Sequence, residues 1–235
     1  MRYLTAGGFI ALLVAPCLLG AATLGGTAPR SGIEEPAMAS EPAKGVFLIA
    51  RRELPDPNFR RTVVLLLRHG ESGTLGVIVN RDTRISLAEA IPQVEGVEGT
   101  RHRLAVGGPV SRDRVSFLLR DQEPVDPGEH VIGDVYFGLD RYLLQRLLKA
   151  GKPPGELKVF AGYSSWGAGQ LDRELARGDW HLAVLDPGAI FCAGGESLWK
   201  KLIDRYDPVG ILVSADPFPI PPGAEARPGD RARSG

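Results

Sequence analysis

The residues GYSSWGAGQL, from Gly162 to Leu171, set two adjacent serines and a tryptophan among three glycines. A serine on a strand-to-helix turn can be a nucleophile when GxSxG lets the backbone reverse tightly and lifts the hydroxyl above a helix N-terminus. Gly162 and Ser164 meet the first half of that pattern, but Trp166 stands where the second glycine belongs, and Ser165 has no glycine two positions before it. His181 and Asp186 follow, in the order serine, histidine, aspartate, which is not the hydrolase order, and His181 falls inside a strand-like run. No catalytic residue is assigned on this basis. A hydrolase-like enzyme working through the Gly162–Gln170 loop stays open as an alternative.

Other chemistries lack their parts. A phosphate loop needs GxxxxGK followed by serine or threonine, and a dinucleotide loop needs GxGxxG after an early strand; neither occurs. His69, His102, His130 and His181 are far apart, with no histidine or cysteine three or four positions from any of them, and the cysteines are only Cys17 and Cys192. The reading therefore assigns no metal and no cofactor. What remains is a set of glycine-rich joints, HGESGTLG, GGPV and GYSSWGAG. Clustered glycines can expose several backbone amides as a nest for an anion, or can simply permit tight turns and close chain approach. Gly107, Gly108, Pro109, Tyr163, Ser165, Trp166, Gly167, Gly169 and Gln170 are candidates under either reading.

The elements that must position these joints are legible from periodicity. GVFLIA (Gly45–Ala50) reads as a strand, and the apolar runs Thr62–Leu67 and Leu75–Val79, split by RHGESGT, read as a hairpin. Because TVVLLL is continuously apolar, it belongs in the covered middle of a sheet, with helices as the cover. SLAEAI opens with Ser86 and Glu89 at capping-box spacing. Leu139–Gly151 is the strongest helix, with Leu143, Leu144, Leu147 and Leu148 on one face and Gly151 as its stop. LAVGGPV, VSFLLR, VIGDVYF and LKVFA read as strand pieces, and LKVFA leads into the serine-rich joint. A helix over Gln170–Arg177, a strand over Trp180–Asp186 and an amphipathic helix from about Glu196 to Tyr206 complete the pattern. The expected class is α/β (α+β), a mixed β-sheet with flanking helices.

The flanks read differently. Residues 1–29 carry no charge between Arg2 and Arg30, and Phe9–Leu19 has the length of a signal-peptide core or part of an anchor. Export, to the periplasm or tethered to a membrane, is the expectation, with membrane contact only through this segment; a misassigned start would leave the protein cytoplasmic. Residues 30–44 read as a linker, 45–215 as one domain, and the Pro/Gly-rich 216–235 as a disordered tail. Of 235 residues 43% are hydrophobic and the formal net charge is zero, so no global basic field draws in nucleic acid.

One stretch, GVFLIARRELPDPNFRRTVVLLLRHGESGTLGVIVNR, runs from a strand to Asp56 and Phe59, through an apolar strand to His69, and on past Gly76 to Asn80. With GGPV at Gly107–Val110, GDVYF at Gly133–Phe137 and GYSSWGAGQLDREL followed by Trp180, this order of motifs resembles the YqgE/AlgH family from Gly45 to about Tyr206. The resemblance implies a mixed sheet with flanking helices, and no reaction, since the family has none established. Arg51 and Arg52 stand where members usually have methionine and proline, and Ser164 and Ser165 where they have alanine and glycine, so neither serine resembles a family catalytic residue. A transcription-regulator label attaches to some members, yet no helix-turn-helix or basic recognition helix is legible.

Three functions stay open. A non-enzymatic binding or regulatory module would show an apolar groove without converging acid, base or metal ligands. An enzyme would bring His69, His181, Asp186 or Ser165 together. A DNA regulator would gather Arg51, Arg52, Arg60, Arg61 and Arg68 beside an element that fits a groove. The partner is a protein or small molecule of unspecified chemistry, nucleic acid is not expected, and the sequence sets no oligomeric state.

Overall fold

Eleven strands and four α-helices follow from these patterns in the computed structural model, which describes residues 37–191 and 195–207. The strands are β1 (Ala37–Met38), β2 (Phe47–Ala50), β3 (Val63–Gly70), β4 (Gly73–Ile78), β5 (Asp82–Ser86), β6 (Arg103–Val106), β7 (Val110–Arg120), β8 (Glu129–Ile132), β9 (Val135–Gly138), β10 (Leu157–Trp166) and β11 (Trp180–Val184). The helices are α1 (Leu87–Ala90), α2 (Arg141–Lys149), α3 (Gln170–Ala176) and α4 (Gly195–Tyr206). The strands form one mixed sheet in the order β1-β11-β2-β3-β4-β10-β7-β9-β8, with β6 on β10 and β5 on β6. Every pairing is antiparallel except β6 with β10. The expected class, a mixed sheet with flanking helices, is the one observed.

Local chemistry explains the boundaries. Ser86 caps α1 through Glu89 N while the Glu89 carboxylate accepts from Ser86 N at 2.8 Å, a complete capping box. Asp140 caps α2 by accepting from Leu143 N at 2.6 Å, and all four leucines of the predicted face are buried. The apolar run Val63–Leu67 is no more than 1% exposed, because β2 and β4 flank it and side chains of both sheet faces are covered. Trp199, Leu202 and Ile203 of α4 are buried in the same apolar core as β2 and β3. A second core joins α1 and α2 to β7 and β10 through Leu87, Phe117, Leu119, Leu144 and Val159.

Two strand expectations change. GYSSW is not a loop after LKVFA: β10 runs unbroken to Trp166, since Ser164, Ser165 and Trp166 pair with Gly76, Leu75 and Thr74 of β4. VIGDVYF is not one strand but the β8–β9 hairpin, reversed at Gly133, whose φ of +56° suits a residue without a Cβ. Ala37–Met38, inside the segment read as a linker, adds a short edge strand to β11.

The expectation of export and of membrane contact through the N-terminal segment is corrected. Apolar composition is not a span, which needs a continuous helix of about 20 residues. Among the described residues no helix is long and apolar enough to cross a membrane, the longest being α4 with 12 residues. Residues 1–29, which carried the expectation, lie outside the described residues, as do Cys17, Cys192 and the tail 216–235.

Candidate functional site

The aromatic candidates meet. Phe59 reaches the interior because the preceding DPNF turn is closed by Asp56, whose carboxylate accepts from Asn58 N at 2.7 Å and whose carbonyl accepts from Phe59 N at 3.1 Å. The Phe59 ring stacks on Trp166 at 5.4 Å and meets Trp180 edge-on at 5.5 Å, while the two indoles lie 6.2 Å apart, edge to face. Both indole nitrogens donate to one carboxylate oxygen, Glu174 Oε2, each at 2.9 Å. The other oxygen accepts from Gln170 Nε2 at 3.0 Å, and Gln170 Oε1 accepts from Gly167 N at 3.1 Å. Gly169, with φ +63°, turns the chain from β10 into α3. The arrangement is closed on itself: its donors and acceptors answer one another, and Phe59, Trp166 and Trp180 are buried.

The glycine joints also meet, backbone against backbone. The same residues of β10, Val159 to Ala161, pair with β6 on one edge and β7 on the other, so Gly107-Gly108-Pro109 must carry the chain across β10. A Cβ on Gly108 would lie 2.1 Å from the Tyr163 carbonyl carbon, and one on Gly107 would lie 2.4 Å from the Gly162 oxygen. Gly162, with φ +71°, marks the bulge that lets β10 pass, and the buried Ser164 hydroxyl donates to the Gly107 carbonyl at 3.2 Å. The Gly107 peptide is committed on both sides: its N–H donates to the Ala161 carbonyl and its carbonyl accepts from Ile78 N. Asn80 ties down the start of β3, accepting from Val63 N at 2.7 Å and donating to the Arg61 carbonyl at 3.0 Å. His69 shares a hydrogen bond with Thr74 across the β3–β4 hairpin at 2.7 Å.

The acid, base and nucleophile candidates do not converge. Ser165 is exposed on β10, Ser164 is committed to a carbonyl, and His181 sits on β11 opposite Ile49, with its ring stacked on Tyr206 at 6.0 Å. Burial holds the His181 imidazole below its ordinary pKa, and Arg51 adds to this, against the opposing pull of Asp207 and Glu53. His102 is also depressed by burial, offset in part by the Pro153 backbone, and neither ring nitrogen has a hydrogen-bond partner of ordinary geometry. The five arginines do not gather as one patch: Arg68 faces Glu129 at 3.5 Å and Arg51 faces Asp207 at 3.9 Å, while Arg52, paired with Asp204 at 2.6 Å, and Arg61 meet at Trp199. No group of three metal-ligating side chains is present among the described residues.

Two open depressions bring together residues that are far apart in the chain. One, of about 340 Å³, is an apolar groove between β7, the α1 C-terminus and α2, lined by Ile91, Val94, Val115, Phe117 and Leu144 with Arg114 beside them. Leu139 at its edge is 64% exposed and nearby Tyr142 72%. The other, also about 340 Å³, is lined by Arg52, Arg61, Ser197, Trp199 and Lys200. The sequence shows each residue's type, but no spacing rule connects positions 52, 61 and 199.

Fold and site together define an α/β protein with a self-satisfied aromatic knot and a separate apolar groove. The family model described as DUF179, AlgH-like, matches residues 47–208. The chain belongs to this family, named YqgE/AlgH or UPF0301. A UPF0301 protein of Chlorobium luteolum is 35% identical over 162 residues, covering 68% of this chain and 84% of that protein. One from Streptomyces avermitilis is 35% identical over 181 residues, covering 74% and 91%. The solution structure of the AlgH protein from Pseudomonas aeruginosa superposes with a TM-score of 0.59 at 27% identity, over 76% of this chain and 97% of that one. A crystal structure of protein DIP2367 from Corynebacterium diphtheriae gives 0.56 at 24% identity, over 70% and 87%, a likeness of fold. The curated relatives are bacterial proteins that bear a family designation in place of an activity.

Proposed function

We propose that this chain is a non-enzymatic binding module whose ligand enters the groove between β7, α1 and α2. The observation that carries the reading is uncovered apolar surface: Leu139 stands 64% exposed at the mouth of a cleft floored by Phe117 and Leu144. An apolar lining with a few charged groups at its rim is the composition of small-molecule sites. Arg114 and Arg141 flank it, while the Asp140 carboxylate is occupied in capping α2, so the groove suits an apolar body with an acidic end. On the same reading the Asp56, Phe59, His69, Asn80, Gly107–Pro109 and Tyr163–Gln170 positions serve the scaffold, and no catalytic role is proposed for Ser165.

The test is a screen of aliphatic and aromatic carboxylic acids by ligand-observed NMR against the full chain and Leu139→Asp. Saturable binding lost in Leu139→Asp, with the melting temperature unchanged, is the expected result. A parallel screen with ester, amide and phosphoester substrates includes Ser164→Ala, Ser165→Ala and His181→Ala. Turnover abolished by one of these changes without loss of stability would overturn the reading and make the β10 segment an active site.

A further inference from the structure

The second depression is built around a fixed indole. Trp199 is 7% exposed, and its Nε1 donates to the Ala50 carbonyl at 2.7 Å, so the ring is anchored to β2. The guanidinium carbons of Arg52 and Arg61 lie 6.0 and 5.9 Å from its centroid. Attraction between each cation and the π-cloud holds near one another two like charges that would otherwise move apart.

Arg61 is placed there by its backbone as well. Its φ is +57°, a conformation uncommon outside glycine, and Asn80 pins its carbonyl. Such a conformation persists only where the surroundings over-determine it. Arg61 makes a further interaction besides. From the α4 side, Asp204 accepts from Arg52 through Oδ1 at 2.6 Å and from Lys200, which lines the same opening, through Oδ2 at 2.7 Å. Hydrogen bonds from Lys200 and then Arg52 keep the Asp204 carboxyl below its ordinary pKa, so it stays ionised and holds both cations in place. Ser197, in the first turn of the 12-residue α4, lines the same opening.

We propose that Arg52, Arg61, Lys200 and Ser197, arranged over Trp199, form a site for a phosphate-bearing small molecule. Three cationic donors reaching one opening from two elements match an oxyanion with several acceptor oxygens better than they match a carboxylate. Trp199 lines the opening beside the cations, an apolar surface that inorganic phosphate does not use, so an ester with an organic body is the fitting class. The site shares no lining residue with the apolar groove and does not depend on the groove's ligand.

The experiment is calorimetric titration of the full chain with phenyl phosphate, inorganic phosphate and benzoate, at two salt concentrations. Phenyl phosphate should bind saturably and more weakly at the higher salt, with benzoate at least tenfold weaker. Lys200→Gln, a change at a side chain 70% exposed that leaves the fold intact, should weaken phenyl phosphate at least tenfold. Arg146→Gln, a change remote from the lining, should leave it unaltered. Absence of saturation, benzoate binding as tightly as phenyl phosphate, or Lys200→Gln titrating like the parent would each overturn the proposal. Inorganic phosphate binding as tightly as phenyl phosphate would overturn it too, since the organic body would then contribute nothing.

Discussion

The aromatic knot and the leucine groove use the same materials to opposite ends. Each sets large apolar side chains between a sheet and a helix. In the knot, Phe59, Trp166 and Trp180 are at most 9% exposed, and one carboxylate, Glu174, answers both indole N–H groups. In the groove, Leu139 is left 64% exposed, although Leu144, which lines the same cleft, is buried. The aromatic rings that mark the motifs in the sequence are thus enclosed, and the open apolar surface lies at the start of a leucine helix that looks ordinary. A buried polar group must be partnered, which consumes the hydrogen-bonding capacity a ligand would need. Uncovered apolar surface keeps its capacity to bind.

The largest expected effect tests the knot. Trp166→Ala removes an indole that stacks on Phe59 and meets Trp180 edge to face, and we expect a loss of about 3–5 kcal/mol of stability by chemical denaturation, from lost contact and the cavity left behind. A loss near zero would show that the knot is not a packing centre. Glu174→Ala comes next. It leaves two largely enclosed indole donors without their acceptor and should cost about 1–3 kcal/mol, with Glu174→Gln milder because an acceptor oxygen remains.

A smaller effect concerns pH. Burial holds His102 neutral in the folded state, whereas the unfolded chain takes up a proton near the ordinary histidine value of about 6.5. The unfolded state then binds more protons, so stability should fall as pH drops through about 6.5 and level off once the depressed folded pKa is passed. His181 acts with the same sign. His102→Phe should flatten the pH dependence of the melting temperature between neutral and mildly acid solution; an unchanged slope would place the effect elsewhere. Smallest of all, Ser165→Ala and Tyr142→Ser alter exposed side chains and should change stability by no more than about 0.5 kcal/mol. A larger loss in Tyr142→Ser would mean that its ring, which meets the Arg141 guanidinium at 5.6 Å, is packed in solution.

Features set by neighbours three or four residues away were determined by the sequence alone. The Ser86–Glu89 capping box, the four-leucine face of α2 and the buried run Val63–Leu67 all stand where the spacing placed them. The family was legible too, because several motifs in order are more specific than any one of them. Features set by distant partners were decided only by the tertiary structure. Tyr163 to Trp166 continue as strand because β7 and β4, tens of residues away in the chain, supply their hydrogen bonds. The GGPV glycines are required by β10 passing beneath them, which the motif itself does not disclose. The groove exists because no described element covers Leu139, and the cationic depression because Arg52 and Arg61 from the region of β2 and β3 meet Trp199 and Lys200 of α4. Caps and periodicity are short-range and survive in the one-dimensional chain; convergence and exposure depend on which surfaces the folded chain brings together and which it leaves uncovered.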